Sequence, residues 1–124
     1  MFDSKSERKK VIGAPVDDLS MEEVLSWCNH VIDQRDQRVI VTLNAHSHWR
    51  AFHDPKMKRA VTNADLVLPE FGIYWAAKRT GQALRHFILG IELMRELIRE
   101  ASTKNFRLYF LGAKEYVVDK LSQI

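Results

Sequence analysis

RVIVTLN at residues 38–44 and DLVLPE at residues 65–70 decide the fold of this chain. Each contains a short apolar run that stops at a polar residue or a proline. The runs are continuous rather than alternating, the pattern of strands covered on both faces in a parallel sheet. Helical signals lie between them. Residues 45–52 read as one helix, and Asp54-Pro55 restarts another, with Asp54 as N-cap and Pro55 at the first helical position. Upstream, Ser20 and Glu23 form a capping box before Val24, Leu25, Trp27, Cys28, Val31 and Ile32, which recur at helical spacing. That predicts a helix over 20–33, preceded by a short β-prone segment at 10–16 broken at Pro15. Downstream, residues 72–79 read as a helix ended by Gly81. Ile91, Met94, Leu97, Ile98 and Ala101 make one stripe on a helix over 90–102. Residues 107–111, RLYFL, read as a third buried strand, followed by a turn at Gly112 and a helix from Lys114. The expected class is α/β: a Rossmann-like parallel sheet with flanking helices, cut short after its third strand.

The chain has 124 residues, 46% of them hydrophobic, enough for one domain and too apolar for disorder throughout. Nineteen Lys and Arg against 16 Asp and Glu leave a net charge of +3, too mild to imply a nucleic-acid partner. No apolar run approaches the roughly 20 residues of a membrane span. Residues 1–10, MFDSKSERKK, read as a polar tail with Lys5, Arg8, Lys9 and Lys10, without the apolar core of a secretory signal. Cys28 is the single cysteine and falls in an apolar helical pattern, which predicts packing and a reducing compartment.

In open α/β sheets, ligands bind beyond the carboxyl ends of the strands. Three such ends carry polar or glycine residues: Thr42-Leu43-Asn44, Pro69-Glu70-Phe71-Gly72 and Gly112-Ala113-Lys114. A ligand cleft is one reading; the ordinary chemistry of loops is the other. His46, His48 and His53 suggest no metal set, since residues two apart on a helix face apart and no further ligands complete a zinc site. Arg50, Lys56, Lys58 and Arg59, joined by Lys78, Arg79 and Arg85, read as a solvated helix face, with attraction to an anionic membrane surface as the alternative. Trp49, Phe52, Tyr74 and Trp75 read as core or partner-facing residues, or else as interfacial aromatics.

Five segments in order, VIGAPVDDLSMEEVL, VIVTLNAHS, DPKMKRAVTNADLVLPEFGIYWAAKRTG, LGIELMRELI and FRLYFLGAKEYVVDKL, resemble the WecG/TagA/CpsF-type bacterial glycosyltransferases. The resemblance covers about residues 11–121 and defines an expected domain over 11–124. It implies an inverting transfer of an N-acetylhexosamine-type sugar from a UDP-sugar to a polyprenyl-diphosphate-linked acceptor, in surface polysaccharide synthesis. No metal or cofactor is implied. The protein would be cytoplasmic, extending to a peripheral position at the inner face of the membrane. Glu70 matches the aspartate thought to be the family's base, and Thr42 and Asn44 match its threonine and asparagine. Gly72 belongs to the same motif as Glu70, and Glu92 matches the aspartate of a third motif. Gly112 and Lys114 would face a diphosphate.

A carboxylate suits an inverting transfer, because the acceptor hydroxyl must lose its proton as it attacks. Glu70 places the carboxylate about 1.5 Å further out than Asp would, one C–C bond. Its other reading is an acid at a helix N-terminus. Thr42 and Asn44 could instead satisfy backbone groups at a strand end. The chain also has Leu43 in place of the family's proline, Phe87 in place of an arginine, and Leu89 in place of the third motif's threonine. An inactive remnant or interaction module of the family is therefore the alternative expectation. A sheet ending at its third strand further predicts self-association into a homo-oligomer, or marginal stability.

Overall fold

The structure, a computed structural model, describes residues 8–123. In chain order it contains β1 (Lys9–Val11), β2 (Ala14–Val16), α1 (Met21–Asp33), β3 (Ile40–Leu43), α2 (Ala45–His53), α3 (Pro55–Asn63), β4 (Leu66–Pro69), α4 (Phe71–Arg79), α5 (Gly90–Lys104) and α6 (Glu115–Ser122). The α/β class is as expected: β3 and β4 run parallel, with Ile40 opposite Leu66 and Leu43 opposite Pro69. The helices α2 and α3 make the crossover between them, as a parallel pair requires.

The side chains of β4 alternate between two cores. Leu66 and Leu68 join Leu19, Val24, Cys28, Ile88 and Leu93, beneath α1 and α5. Val67 joins Leu43, Val11, Val16, Val61 and Ile73 on the other face. This is the period-2 geometry of a strand buried on both sides. The helix starts follow their sequence signals. Ser20 accepts from the Glu23 amide while the Glu23 carboxylate accepts from Ser20, and Asp54 caps α3 with Pro55 at its first position. On the outer side of the first core, Asn29 on α1 donates to Glu100 of α5 at 2.8 Å and accepts from Lys104 at 3.0 Å.

The β-prone segment near the N-terminus is a hairpin rather than a single interrupted stretch. Val11 pairs with Ala14 across a two-residue turn, with φ of 48° at Ile12 and 79° at Gly13. Two positive φ values in succession make a turn of the type I′ kind. Ile-Gly lacks the usual Asn-Gly signature, so the sequence reading passed over it. The hairpin docks beside β4. The Asp17 amide donates to the Val67 carbonyl at 2.8 Å, and the Asp17 carboxylate accepts from the Val67 amide at 2.7 Å. Arg8 binds Asp17 at 3.2 Å and the Thr62 carbonyl at 3.2 Å, and also donates to the Ala64 carbonyl. Residues 8–10 are thus part of the fold, not of a polar tail; the expectation for residues 1–7 lies outside the described residues.

Residues 107–111 are not the expected third buried strand. They are exposed, and among the described residues no hydrogen bond ties 106–111 to β3 or β4. Helix α5 ends with Asn105 in the left-handed conformation, φ 58°, and the chain runs on without a ladder to join. Apolar composition favours burial, but a strand also needs an edge within hydrogen-bonding reach. Of the four aromatics read as core, partner-facing or interfacial, Trp49, Phe52 and Trp75 are exposed and so not in this chain's core, and Tyr74 is half-buried. Among the described residues, no helix is long and apolar enough to cross a membrane.

Candidate active site

The carboxyl ends of β3 and β4 bring Thr42, Glu70 and Gly90 together. Glu70 follows β4 directly, and its amide donates to the Leu43 carbonyl at 3.0 Å, which ties the two strand ends. It is the N-cap residue of α4, yet its side chain makes no capping bond there. Instead Glu70 Oε2 accepts from the Gly90 amide at 2.7 Å. Gly90 is the first residue of α5, so the carboxylate sits at that helix's positive end. The reading of Glu70 as a helix-terminal acid therefore holds for α5 rather than for the helix it precedes.

Gly90 is required by this approach. A Cβ there would stand 2.8 Å from Thr42 Oγ1 and 3.4 Å from Glu70 Oε2. Only a residue without a side chain lets α5 start so close to the end of β3. The segment leading into Gly90 is also held. Ile88 donates to the Pro69 carbonyl at 3.0 Å, and the amides of Arg85 and His86 each donate to Asp18 at 2.9 Å. Burial alone would raise the Asp18 carboxyl, but these two amides, with Lys9 at 3.3 Å, outweigh it and hold it below the usual range. Its neighbour Asp17 shifts the other way: burial pushes it up, against the Val67 amide and Arg8. Neither aspartate nor Gly90 was singled out as a site residue from the sequence. Two acids directly after a buried strand were the available signal.

Asn44 is the N-cap of α2, and its Oδ1 accepts from the Ser47 amide at 2.8 Å, leaving the side-chain NH₂ exposed. Gly72, in the first turn of α4, comes within 3.6 Å of Ala45 Cβ measured from the place its own Cβ would occupy. The N-termini of α2, α4 and α5 thus gather around the two strand ends. Glu92 is exposed in the first turn of α5. Phe87 packs edge-on against Phe71 at 5.4 Å and lies 5.1 Å from Tyr74, so an aromatic wall stands beside Glu70. Among the described residues no hydrogen bond or ion pair ties Gly112 or Lys114 to the strand ends. Both are exposed, and a Cβ at Gly112 would meet nothing within 4 Å.

Two of the three histidines bond backbone carbonyls. His48 Nε2 lies 3.0 Å from the Ile12 carbonyl, and His53 Nδ1 lies 2.9 Å from the Trp49 carbonyl. Among the described residues no group of three or more His, Cys, Asp or Glu is placed to hold a metal ion.

A parallel strand pair with a carboxylate at its carboxyl end and helix N-termini around it is the place where open α/β sheets bind their ligands. Residues 9–124 match the glycosyl transferase WecG/TagA/CpsF family, and the chain belongs to it. It is similar to an N-acetylglucosaminyldiphosphoundecaprenol N-acetyl-beta-D-mannosaminyltransferase of Bacillus spizizenii, 30% identical over 101 residues, covering 77% of this chain and 39% of the relative. A protein of the same name from Bacillus subtilis strain 168 is 29% identical over 90 residues, covering 72% of this chain and 35% of the relative. The chain therefore spans well under half the length of these relatives.

Proposed function

We propose that the chain carries the strand-end cleft of a glycosyltransferase that moves an N-acetylhexosamine-type sugar from a UDP-sugar to a polyprenyl-diphosphate-linked acceptor, at the inner face of the membrane. The contact that carries this reading is that of Glu70, Thr42 and Gly90 at the ends of both parallel strands. Glu70 acts as the base. The acceptor hydroxyl gives its proton to the carboxylate as its oxygen bonds the anomeric carbon, and the bond from that carbon to the nucleoside diphosphate breaks on the opposite face. The anomeric configuration inverts, and the diphosphate leaves with the bonding electron pair. The Gly90 amide occupies one carboxylate oxygen and fixes the other's direction; among the described residues Oε1 accepts no hydrogen bond.

Thr42 stands at the same point and orients the carboxylate or a substrate hydroxyl. The free amide of Asn44 donates to a sugar or phosphate oxygen. Gly72 keeps the start of α4 close to α2, and Glu92 borders the opening. The gathered helix ends favour negative charge, which suits a diphosphate. The proposed domain, expected over residues 11–124, also takes in the docked residues 8–10.

The test is turnover of UDP-N-acetylhexosamines onto a polyprenyl-diphosphate-linked sugar. Glu70→Gln keeps an acceptor for the Gly90 amide and removes the base, so kcat falls by about 10²–10⁴ with an unchanged melt. Equal turnover in the variant removes Glu70 from the mechanism. A folded wild-type chain that binds UDP without turnover supports the second reading, a non-catalytic module of the family. The exposed Tyr109 and Leu111 favour that reading, because they offer apolar surface to another chain.

A further inference from the structure

A second face, away from the strand ends, is basic. From Ala45 to Ala64 there are four Lys and Arg and one Asp, a local charge equal to the +3 of the whole sequence. The four are Arg50, Lys56, Lys58 and Arg59, all exposed. None of these four makes an ion pair among the described residues. The single acid, Asp54, is committed to capping α3 through the Lys56 amide.

Apolar groups stand among these cations. Phe52 is 77% exposed and Trp49 59%; Phe52 meets His53 edge-on at 5.4 Å, and Trp49 lies tilted against it at 4.4 Å. Phe52 and Lys58 also line a hollow of about 120 Å³, whose other walls include Ile12, Pro15, Ala51 and Val61. That is below the roughly 300 Å³ of a site for a whole small-molecule ligand, so the hollow suits a chain end rather than a nucleotide sugar. Ile12 is 56% exposed at the hairpin tip, with a φ of 48° that a β-branched side chain rarely adopts. A polar residue would serve a solvated turn with less strain.

We propose that this face, built from the β1–β2 turn and the α2–α3 pair, docks on an anionic phospholipid membrane. Lys56, Lys58, Arg59 and Arg50 meet the headgroups, and Ile12, Phe52 and Trp49 enter the boundary with the acyl region. Unpaired cations interleaved with exposed aromatic and aliphatic residues match a bilayer interface, where both find partners at once. An acidic protein would answer the charge but leave the protruding apolar side chains without a reason. The inference concerns a different face from the proposed catalytic cleft and does not depend on Glu70.

The test is co-sedimentation of the chain with vesicles of phosphatidylcholine alone and of phosphatidylcholine mixed with phosphatidylglycerol. Binding is expected only to the mixed vesicles, weakening as salt is raised. Each basic residue near such a surface is worth about fivefold in binding, so the combined variant Lys56→Gln, Lys58→Gln, Arg59→Gln binds roughly a hundredfold more weakly. Phe52→Ser, which removes a mostly exposed ring, lowers binding by about tenfold. Melting temperatures of both variants stay near that of the parent, since no buried side chain is touched. Glu70→Gln binds vesicles normally, which separates failure of the transferase reading from failure of this one. Equal binding to neutral vesicles, unchanged binding of the triple variant, or binding that requires added polyprenyl phosphate would each overturn the proposal.

Discussion

The strand β4 and residues 107–111 are both short apolar runs that follow a helix, yet they meet opposite outcomes. Every residue of β4 is buried, and its backbone is bonded to β3 on one side and to Asp17 on the other. In residues 107–111, Tyr109 is 87% and Leu111 89% exposed, and no strand pairs with them among the described residues. Hydrophobicity is alike in the two; backbone partners are not. A run of apolar residues states a preference for burial, and the edge it meets decides whether that preference becomes a strand.

The sharpest way to break this comparison is to remove one leucine from each region. Leu68→Ala opens a hole in the core under α1 and α5 and is expected to cost about 3 kcal/mol of stability. Leu111→Ala is expected to change stability by no more than about 0.5 kcal/mol. Urea midpoints of the two variants decide the matter. Similar losses would mean that residues 107–111 are buried in solution.

A smaller effect belongs to Asp18, which holds the segment between β4 and α5 by two backbone amides. Asp18→Ala leaves both amides without their acceptor and is expected to cost about 2 kcal/mol at neutral pH. Because the folded pKa of Asp18 lies below its unfolded value near 3.9, its contribution is present above that value and is lost as pH falls through the folded pKa. Asp17, raised by burial, contributes in the opposite sense: its stabilisation is present at low pH and is lost as pH rises through its folded pKa. Acid unfolding of Asp18→Ala should therefore be flatter below pH 4 than that of the parent. An equally steep profile would assign the acid limb to other carboxyls.

The least perturbing probe is Cys28, buried in the core under α1 and α5. Burial, then the charge of Glu100, pushes its thiol up to about 11. At pH 8 it should react with a thiol reagent on the order of a hundredfold more slowly in the folded chain than in the denatured one. Rapid labelling of the native protein would show that this core opens easily.

Local chemistry made much of this legible. Ser20 with Glu23, Asp54 with Pro55, and the apolar runs before Asn44 and Glu70 carry their own structural instructions within a few residues. Thr42 and Glu70 could be named because strand ends are where α/β folds keep ligands. Their contact through Gly90 was not legible, since residues 42, 70 and 90 are joined only by tertiary packing. The hairpin was missed because Ile12 contradicts the usual turn preference. The fate of residues 107–111 depended on a neighbour that no property of those five residues could supply.

The bond pair between Asp17 and Val67 has a further consequence. One residue outside any strand occupies both the donor and the acceptor of Val67 in β4, and Arg8 clamps it in place. That side of the sheet is stoppered. On the opposite side β3 has no strand neighbour among the described residues. The sheet is thus a one-ended template: a further strand, whether from this chain or from another, has a single berth, alongside Ile40–Leu43, and its carboxyl end or its loop would arrive next to Thr42.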